Sequence, residues 1–522
     1  MTTTSTHDPG PQATDPAAPQ KERKEQKRKK YYTLRVPNAL IVGLVSSIIL
    51  MLASFSGGAT RNRGGVLEAL NISFFAYGHG RNVGMVLYWI GLFGLVAAWV
   101  LAGRQVIAPQ MKAPSVNGGV RRLRTMLVAW VAPLALAGPL ASRDVYSYLM
   151  QGSMVRDGFD PYIEGAAVNP GPFLLEVSHD WRNTTTPYGP LHLWMGEGVT
   201  RLVGENVGWG IIVYKIISLL GFAAIAWSVP RIARALGSDP ALALWLGVAN
   251  PVMLLHLIGG MHNESVMVGL VSLAILAAVH QRFLPSILLI GVAVAMKATA
   301  LIFAPFLVWL ILLHYCPQGT SWVRWALVFV LSGVLTLAGV GLTVAVITWA
   351  SGSSWGWLSQ ISGNSKVVNP LAGPTLAADV LVPLFQIFNP EITYNGVLGV
   401  LRSAAALLML AGLVVVWWLG RGSKRRAIAA TAGAYQVAFI FNSVTLPWYY
   451  ASIFSLMGTF RPSLKLVKLT TGVAIFMGAA FAGDGNHQLY NWWWDIGMVV
   501  IAWLACQWIF DGVPENGAAN AS

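Results

Sequence analysis

From Val36 to Phe510 the chain returns again and again to apolar runs of roughly 20 residues, the length that crosses the hydrocarbon core of a bilayer, with short polar turns between them. A backbone in lipid must satisfy its own polar groups, and runs of this length do so as helices. Charge agrees with that reading: 11% of residues are charged and 55% hydrophobic, at a mean hydropathy of +0.59, where a soluble domain carries about 25% charged residues. The expected fold is an all-α polytopic membrane protein, a bundle of about 13–14 transmembrane segments. Spans are expected near 38–55, 83–102, 125–140, 207–230, 240–258, 265–280, 325–349, 396–420, 427–446, 449–460, 468–482 and 492–510. The stretch 284–313 is too long for one span and is interrupted by Lys297 and Pro305, so a broken or hairpin pair is expected there.

Topology accounts for the net charge of +14 without nucleic acid. With the N-terminal tail in the cytoplasm and spans alternating, 24 Lys/Arg fall inside and eight outside, and 14 of the 21 acids fall outside. Counting 284–313 as a single span would place Arg421 to Arg426 outside, against the usual excess of Lys and Arg in cytoplasmic loops. Residues 1–35 read as a disordered, basic cytoplasmic tail, 36–510 as the membrane domain and 511–522 as a short cytoplasmic tail. The first span lacks a convincing cleavage site and is expected to be retained. Cys316 and Cys506 suggest neither a disulfide nor a metal site. There is no P-loop, HExxH, CxxC or strand-borne GxGxxG, which leaves ATP-driven transport and zinc hydrolysis without support.

Two outer loops are long enough to carry a site, near 141–206 and 351–395. The first opens with ASRDVYSYLMQGSMVRDGFDPY (Ala141 to Tyr162). Asp144 and Tyr148 share a face if this segment is helical; Arg143, Tyr146, Asp157 and Asp160 accompany them. A carboxylate at the membrane edge can take a proton from a sugar hydroxyl, and a neighbouring Arg can hold a phosphate or the carboxylate. A surface ion pair among interfacial tyrosines is the plainer alternative. His262, Asn263 and Glu264 occupy a short outer turn, where they either bind sugar hydroxyls and orient the acid or form a hydrogen-bonded cap with Asn263 as N-cap. Their spacing does not suit a metal. Lys297, inside an apolar stretch, either neutralises a phosphate or snorkels to the interface. Lys215 and Arg402, nearer span ends, are expected to snorkel. Tyr188, Trp448 and Tyr449 sit at outer span ends, where aromatic rings serve sugars or the interfacial belt.

The segments PNALIVGLVSSIILMLASFSGGATRNRGG (Pro37 to Gly65), SRDVYSYLMQG (Ser142 to Gly152), GFDPY (Gly158 to Tyr162), TTPYGP (Thr185 to Pro190), GGMHNES (Gly259 to Ser265) and LPWYY (Leu446 to Tyr450) carry a resemblance. In this order and spacing they resemble the actinobacterial polyprenol-phosphate-mannose-dependent α-1,6-mannosyltransferases of lipomannan synthesis, within the GT-C glycosyltransferases, over roughly residues 35–510. The resemblance implies Asp144 as general base and a polyprenyl-phosphate-mannose donor. It further implies a phosphatidylinositol-mannoside or mannan acceptor, no cofactor, and inverting transfer at the outer face of the plasma membrane; the charge distribution is what puts both termini in the cytoplasm. Two rival readings stay open: a transporter or flippase of a lipid-linked sugar, and a sister transferase using another sugar such as arabinose.

Overall fold

The computed structural model describes residues 1–2, 37–112, 118–363 and 368–514. The expected N-terminal tail, 1–35, lies outside the described residues apart from residues 1–2, as does 515–522. The described residues from Ala39 onward fold as one compact unit.

The elements are helices: α1 (Ala39–Ala53), α2 (Gly78–Ala102), α3 (Gly118–Ala135), α4 (Asp144–Arg156), α5 (Pro190–Val203), α6 (Val207–Ala235), α7 (Pro240–Gly247), α8 (Glu264–Val279), α9 (Phe283–Met296), α10 (Ala304–Tyr315), α11 (Trp322–Ala350), α12 (Gly373–Gln386), α13 (Tyr394–Leu419), α14 (Lys424–Phe441), α15 (Leu464–Gly478) and α16 (Trp492–Ile509). Their starts follow the capping residues. Side chains of Asn206, Asp239, Ser321, Thr393, Ser423, Ser463 and Asn491 each accept from a backbone N–H of the helix they open, satisfying donors that have no partner within the helix.

Among the described residues six helices are long and apolar enough to cross a membrane singly, and a seventh forms if Met253–Gly259 and α8, bent by 115°, count as one broken span. Most other expected spans are present as shorter or broken helices. α13 shows what surrounds the bundle: its apolar window has a mean hydropathy of 2.2 and is 6% buried, with only Leu398 and Ala405 fully covered among its residues. So large an uncovered apolar face suits lipid and not water. This is a polytopic all-α membrane protein.

The 284–313 stretch is a hairpin. Lys297 is extended (φ −157°, ψ 127°) between α9 and a 3₁₀ turn, Ala298–Phe303, that runs into α10. The Phe283 and Tyr315 rings lie 6.0 Å apart, which brings the two feet together and leaves Lys297 at the apex. The expected span at 449–460 takes another form. Its residues form a 3₁₀ turn, Pro447–Tyr450, a four-residue helix, Ala451–Phe454, and further turns. Pro447, with no N–H to give, opens this short element and cannot continue α14.

Basic residues gather at one edge, where they bind carbonyls at helix ends. Arg425 donates to Leu236 O at 2.5 Å, Lys424 to Val279 O at 3.1 Å, and Lys112 to Asp511 O at 2.7 Å. Lys215 is not at a span end reaching for water, as expected, but buried. It donates to Ile258 O at 2.7 Å and Leu134 O at 3.4 Å, while Ser218 donates to Leu257 O at 2.5 Å. The reason is the π-helical turn Met253–Gly259, whose carbonyls lack the ordinary helical partners and take donors from α6 instead.

Candidate active site

At the edge opposite those basic contacts, α4, α5, α8, the apex of the α9–α10 hairpin and the Pro447–Tyr450 turn converge. Two glycine contacts let them do so. A Cβ on Gly152 would strike the Gly196 backbone, so α4 and α5 meet at their main chains; a Cβ on Gly221 would come within 2.5 Å of Ser265, which holds α6 against α8. Both polar loops also turn through strained residues: Ala141 (φ 57°), just before Asp144, and Met261 (φ 54°), just before His262, are left-handed without being glycine, at a cost of about 1–2 kcal/mol each.

Asp144 is the first residue of α4, where the positive end of the helix dipole favours a carboxylate. His262 Nδ1 lies 3.2 Å from Asp144 Oδ2; the imidazole is fully buried while the carboxylate side chain keeps 19% exposure. Tyr148 OH donates to the same oxygen at 3.5 Å and accepts from the Asn263 N–H at 3.4 Å. Burial raises the Asp144 pKa, but His262, the Ser142 hydroxyl and the Lys297 charge outweigh it and hold the group below the ordinary carboxylate range. The imidazole of His262 stacks on Trp448 at 3.7 Å between centroids and 17° between planes, which fixes the ring plane.

Beside the acid stands a cation. Lys297 Nζ pairs with Glu264, and both are buried. The ammonium lies 4.3 Å from the centre of the Tyr449 ring and 5.4 Å from that of Tyr188, within range of cation–π attraction. Lys297 therefore does not snorkel. Asn263 holds the N-cap position of α8, but its side chain makes no cap bond; its Nδ2 lies 3.5 Å from His192 Nδ1.

Asp144, Tyr148, Tyr188, His262, Asn263, Glu264, Lys297, Trp448 and Tyr449 are thus neighbours in one cluster. The remaining residues singled out in the sequence have other partners. Arg143 donates to Thr60 O at 2.8 Å and Glu176 O at 2.7 Å, pairs with the Glu176 carboxylate at 3.3 Å, and lies over the Tyr146 ring. Tyr146 donates to Ala59 O. Both tie the loop after α1 to the α4 loop and are turned from the cluster. Asp157 is bound by Arg156 and Asn169, and Asp160 accepts from Ser354, joining the two outer loops.

Sequence reading missed three neighbours. His192, on α5, packs edge-on to Tyr148 at 4.7 Å; burial, with the charge of Lys297, lowers its pKa to about 3, so it stays neutral. Tyr214 lies 5.9 Å from Tyr148, and His256 packs 5.5 Å from Trp448. His192 follows Tyr188 at i+4, the one local signal that could have found it. Among the described residues, His192 Nε2, Tyr214 OH, His262 Nε2, Asn263 Oδ1 and Glu264 Oε2 are buried without a hydrogen-bond partner. Each such group costs about 1–3 kcal/mol. Such a convergence of unmet donors and acceptors around an ionised acid and a cation can hold a polyhydroxylated, anionic ligand.

Residues 40–313 match the family model described as "Alpha-(1->6)-mannopyranosyltransferase, N-terminal domain", and residues 374–510 match "MptB C-terminal domain". The chain is 52% identical over 472 residues to alpha-(1->6)-mannopyranosyltransferase A of Corynebacterium glutamicum, covering 89% of this chain and 96% of that one. It is 33% identical over 466 residues to the protein of the same name from Mycobacterium tuberculosis, covering 88% of each. It is 26% identical over 443 residues to alpha-(1->6)-mannopyranosyltransferase B of C. glutamicum, covering 77% of this chain and 73% of that one.

Proposed function

The chain belongs to the alpha-(1->6)-mannopyranosyltransferase family, and from that membership we propose that it is a membrane glycosyltransferase moving mannose from polyprenyl-phosphate-mannose to an α-1,6-mannan acceptor. The observation that carries the reading is the presence in one polar cluster of a depressed, partly exposed carboxylate, Asp144, and a buried cation, Lys297.

In this mechanism Asp144 takes the proton from the acceptor hydroxyl. The hydroxyl oxygen bonds to the anomeric carbon as the bond from that carbon to phosphate oxygen breaks. The electron pair leaves with the polyprenyl phosphate, beside Lys297, which stabilises the charge that develops there. Asp144 returns its proton to water. Attack from the face opposite the phosphate inverts the anomeric centre, so a β-linked donor yields an α-mannoside. The unpartnered groups of His192, Asn263 and Tyr214 bind sugar hydroxyls. Residues 36–510 form the catalytic domain, of GT-C type. The sequence charge bias supports an outward-facing site in the plasma membrane with cytoplasmic termini. The acceptor is a lipid-anchored mannan of the lipomannan type.

The test is transfer from radiolabelled polyprenyl-phosphate mannose to a short α-1,6-mannoside in membranes, with an arabinosyl donor run in parallel. Transfer of mannose, lost in a normally inserted Asp144→Asn variant, supports the assignment. Lipid flipping without transfer, undiminished in that variant, would return the protein to the transporters.

A further inference from the structure

The charges facing Lys297 do not favour a tightly held phosphate. Glu264, from the first turn of α8, pairs with the ammonium from one side; Asp144, on α4, acts on it from another. Tyr188 and Tyr449 present ring faces. Arg143, the cation next to Asp144 in sequence, is engaged by Glu176. Two carboxylates thus face one ammonium, and the second oxygen of Glu264, Oε2, is buried without a partner. An incoming phosphate reaches Lys297 only by sharing it with Glu264 or displacing that carboxylate.

We infer that Glu264 is a positioning residue that tunes the phosphate subsite, yielding Lys297 to the phosphodiester of the donor and reclaiming it from the phosphomonoester product. The inference rests on the reading of Lys297 as the donor-phosphate cation. Its chemistry lies in the difference between the two lipids. The donor is a phosphodiester with one negative charge. The product is a phosphomonoester carrying about −1.5 to −2 at pH 7. A carboxylate held beside the cation penalises the second charge more than the first, so Glu264 weakens product more than donor and hastens release. Phosphate recognition, on this view, is set against its own product by the acid paired with the cation.

The experiment uses the full-length protein in proteoliposomes, with polyprenyl-phosphate mannose as donor and polyprenyl phosphate as inhibitor. In Glu264→Gln the inhibition constant of polyprenyl phosphate should fall about tenfold relative to the donor KM, the scale of one charge–charge contact in a partly buried site. A burst of one turnover should precede a slower steady state. Glu264→Asp, which keeps the charge, should hold the wild-type ratio. An unchanged ratio in Glu264→Gln, or donor KM and inhibition constant rising together, overturns the inference by making Glu264 a mere prop for Lys297. Lys297→Met tests the underlying reading separately: an unchanged donor KM there removes Lys297 from the phosphate subsite, whatever Glu264 does.

Discussion

Asp144 Oδ2 and His262 Nδ1 stand 3.2 Å apart, the acid at the start of one helix and the imidazole on the turn before another, with His262 stacked flat on Trp448. Which ring nitrogen faces the acid makes this pair testable. The Nδ2 of Asn at position 262 can occupy the place of Nδ1, whereas the amide of Gln reaches the place of Nε2. His262→Asn should keep transfer within about tenfold of wild type, and His262→Gln should lose about a hundredfold, the range for a misplaced general base. Steady-state kinetics on both variants checks the order; equal losses would sink the pairing.

Removing the proposed base should have a larger effect. Asp144→Asn should lower kcat by about 10²–10⁴ with little change in donor KM, since the donor phosphate is assigned to Lys297. Comparing kcat and KM at matched expression reads this directly.

The depressed pKa of Asp144 fixes the sign of the pH profile. The carboxylate must be ionised to act. A pKa held below the ordinary range keeps it ionised as the pH falls through that range, so kcat/KM should stay level through the ordinary carboxylate range and fall only below it. In His262→Gln the acid limb should move to higher pH, because burial remains while the neighbour that opposed it is gone. Lys297, Glu264, Tyr148, Tyr188, Tyr449 and His192 also face this carboxylate and are unchanged in the comparison. An acid limb that does not move would remove His262 as the cause.

Arg143 offers the opposite outcome. Its guanidinium is bound to Thr60 O, Glu176 O and the Glu176 carboxylate, which is 2% exposed. Arg143→Met takes the counter-charge from that buried acid and leaves it only the backbone N–H groups of Asn62 and Arg63, a loss of about 1–3 kcal/mol. The variant should unfold at markedly lower temperature while its folded fraction retains the wild-type donor KM. A raised KM at full thermal stability would return Arg143 to the donor phosphate.

Lys215 should behave likewise at another place. Lys215→Met strips the Ile258 and Leu134 carbonyls of their donor, at about 1–3 kcal/mol per unpaired group. Thermal denaturation in detergent measures the loss; no loss would mean that water replaces the ammonium.

Helix positions were legible because lipid enforces long apolar runs, and the break at Lys297 because charge and proline interrupt one. The turn at 449–460 was not, since a mostly apolar run of that length reads alike whether it spans or folds back into short turns. Asp144 was visible as an acid just after an apolar stretch. Its partner was visible only as a polar turn, because nothing in GGMHNES says which helix it meets. His192 and Tyr214 look like ordinary helix residues until α4 closes on α5 and α6. Lys215 was misread because the π-turn it serves leaves no periodic trace, and Arg143 because adjacency to Asp144 in sequence does not make them share a ligand.

The short arm below Lys297 sets a depth. α9 has 14 residues, about 21 Å at 1.5 Å per residue, while the hydrocarbon core is about 30 Å thick. With the foot of α9 at one boundary of that core, the apex would lie beneath the opposite headgroup plane unless the surrounding leaflet thins to meet it. Bilayer thickness therefore becomes a variable of the reaction: lipids with short acyl chains should bring donor phosphate and ammonium level, and long saturated chains should strand one above the other.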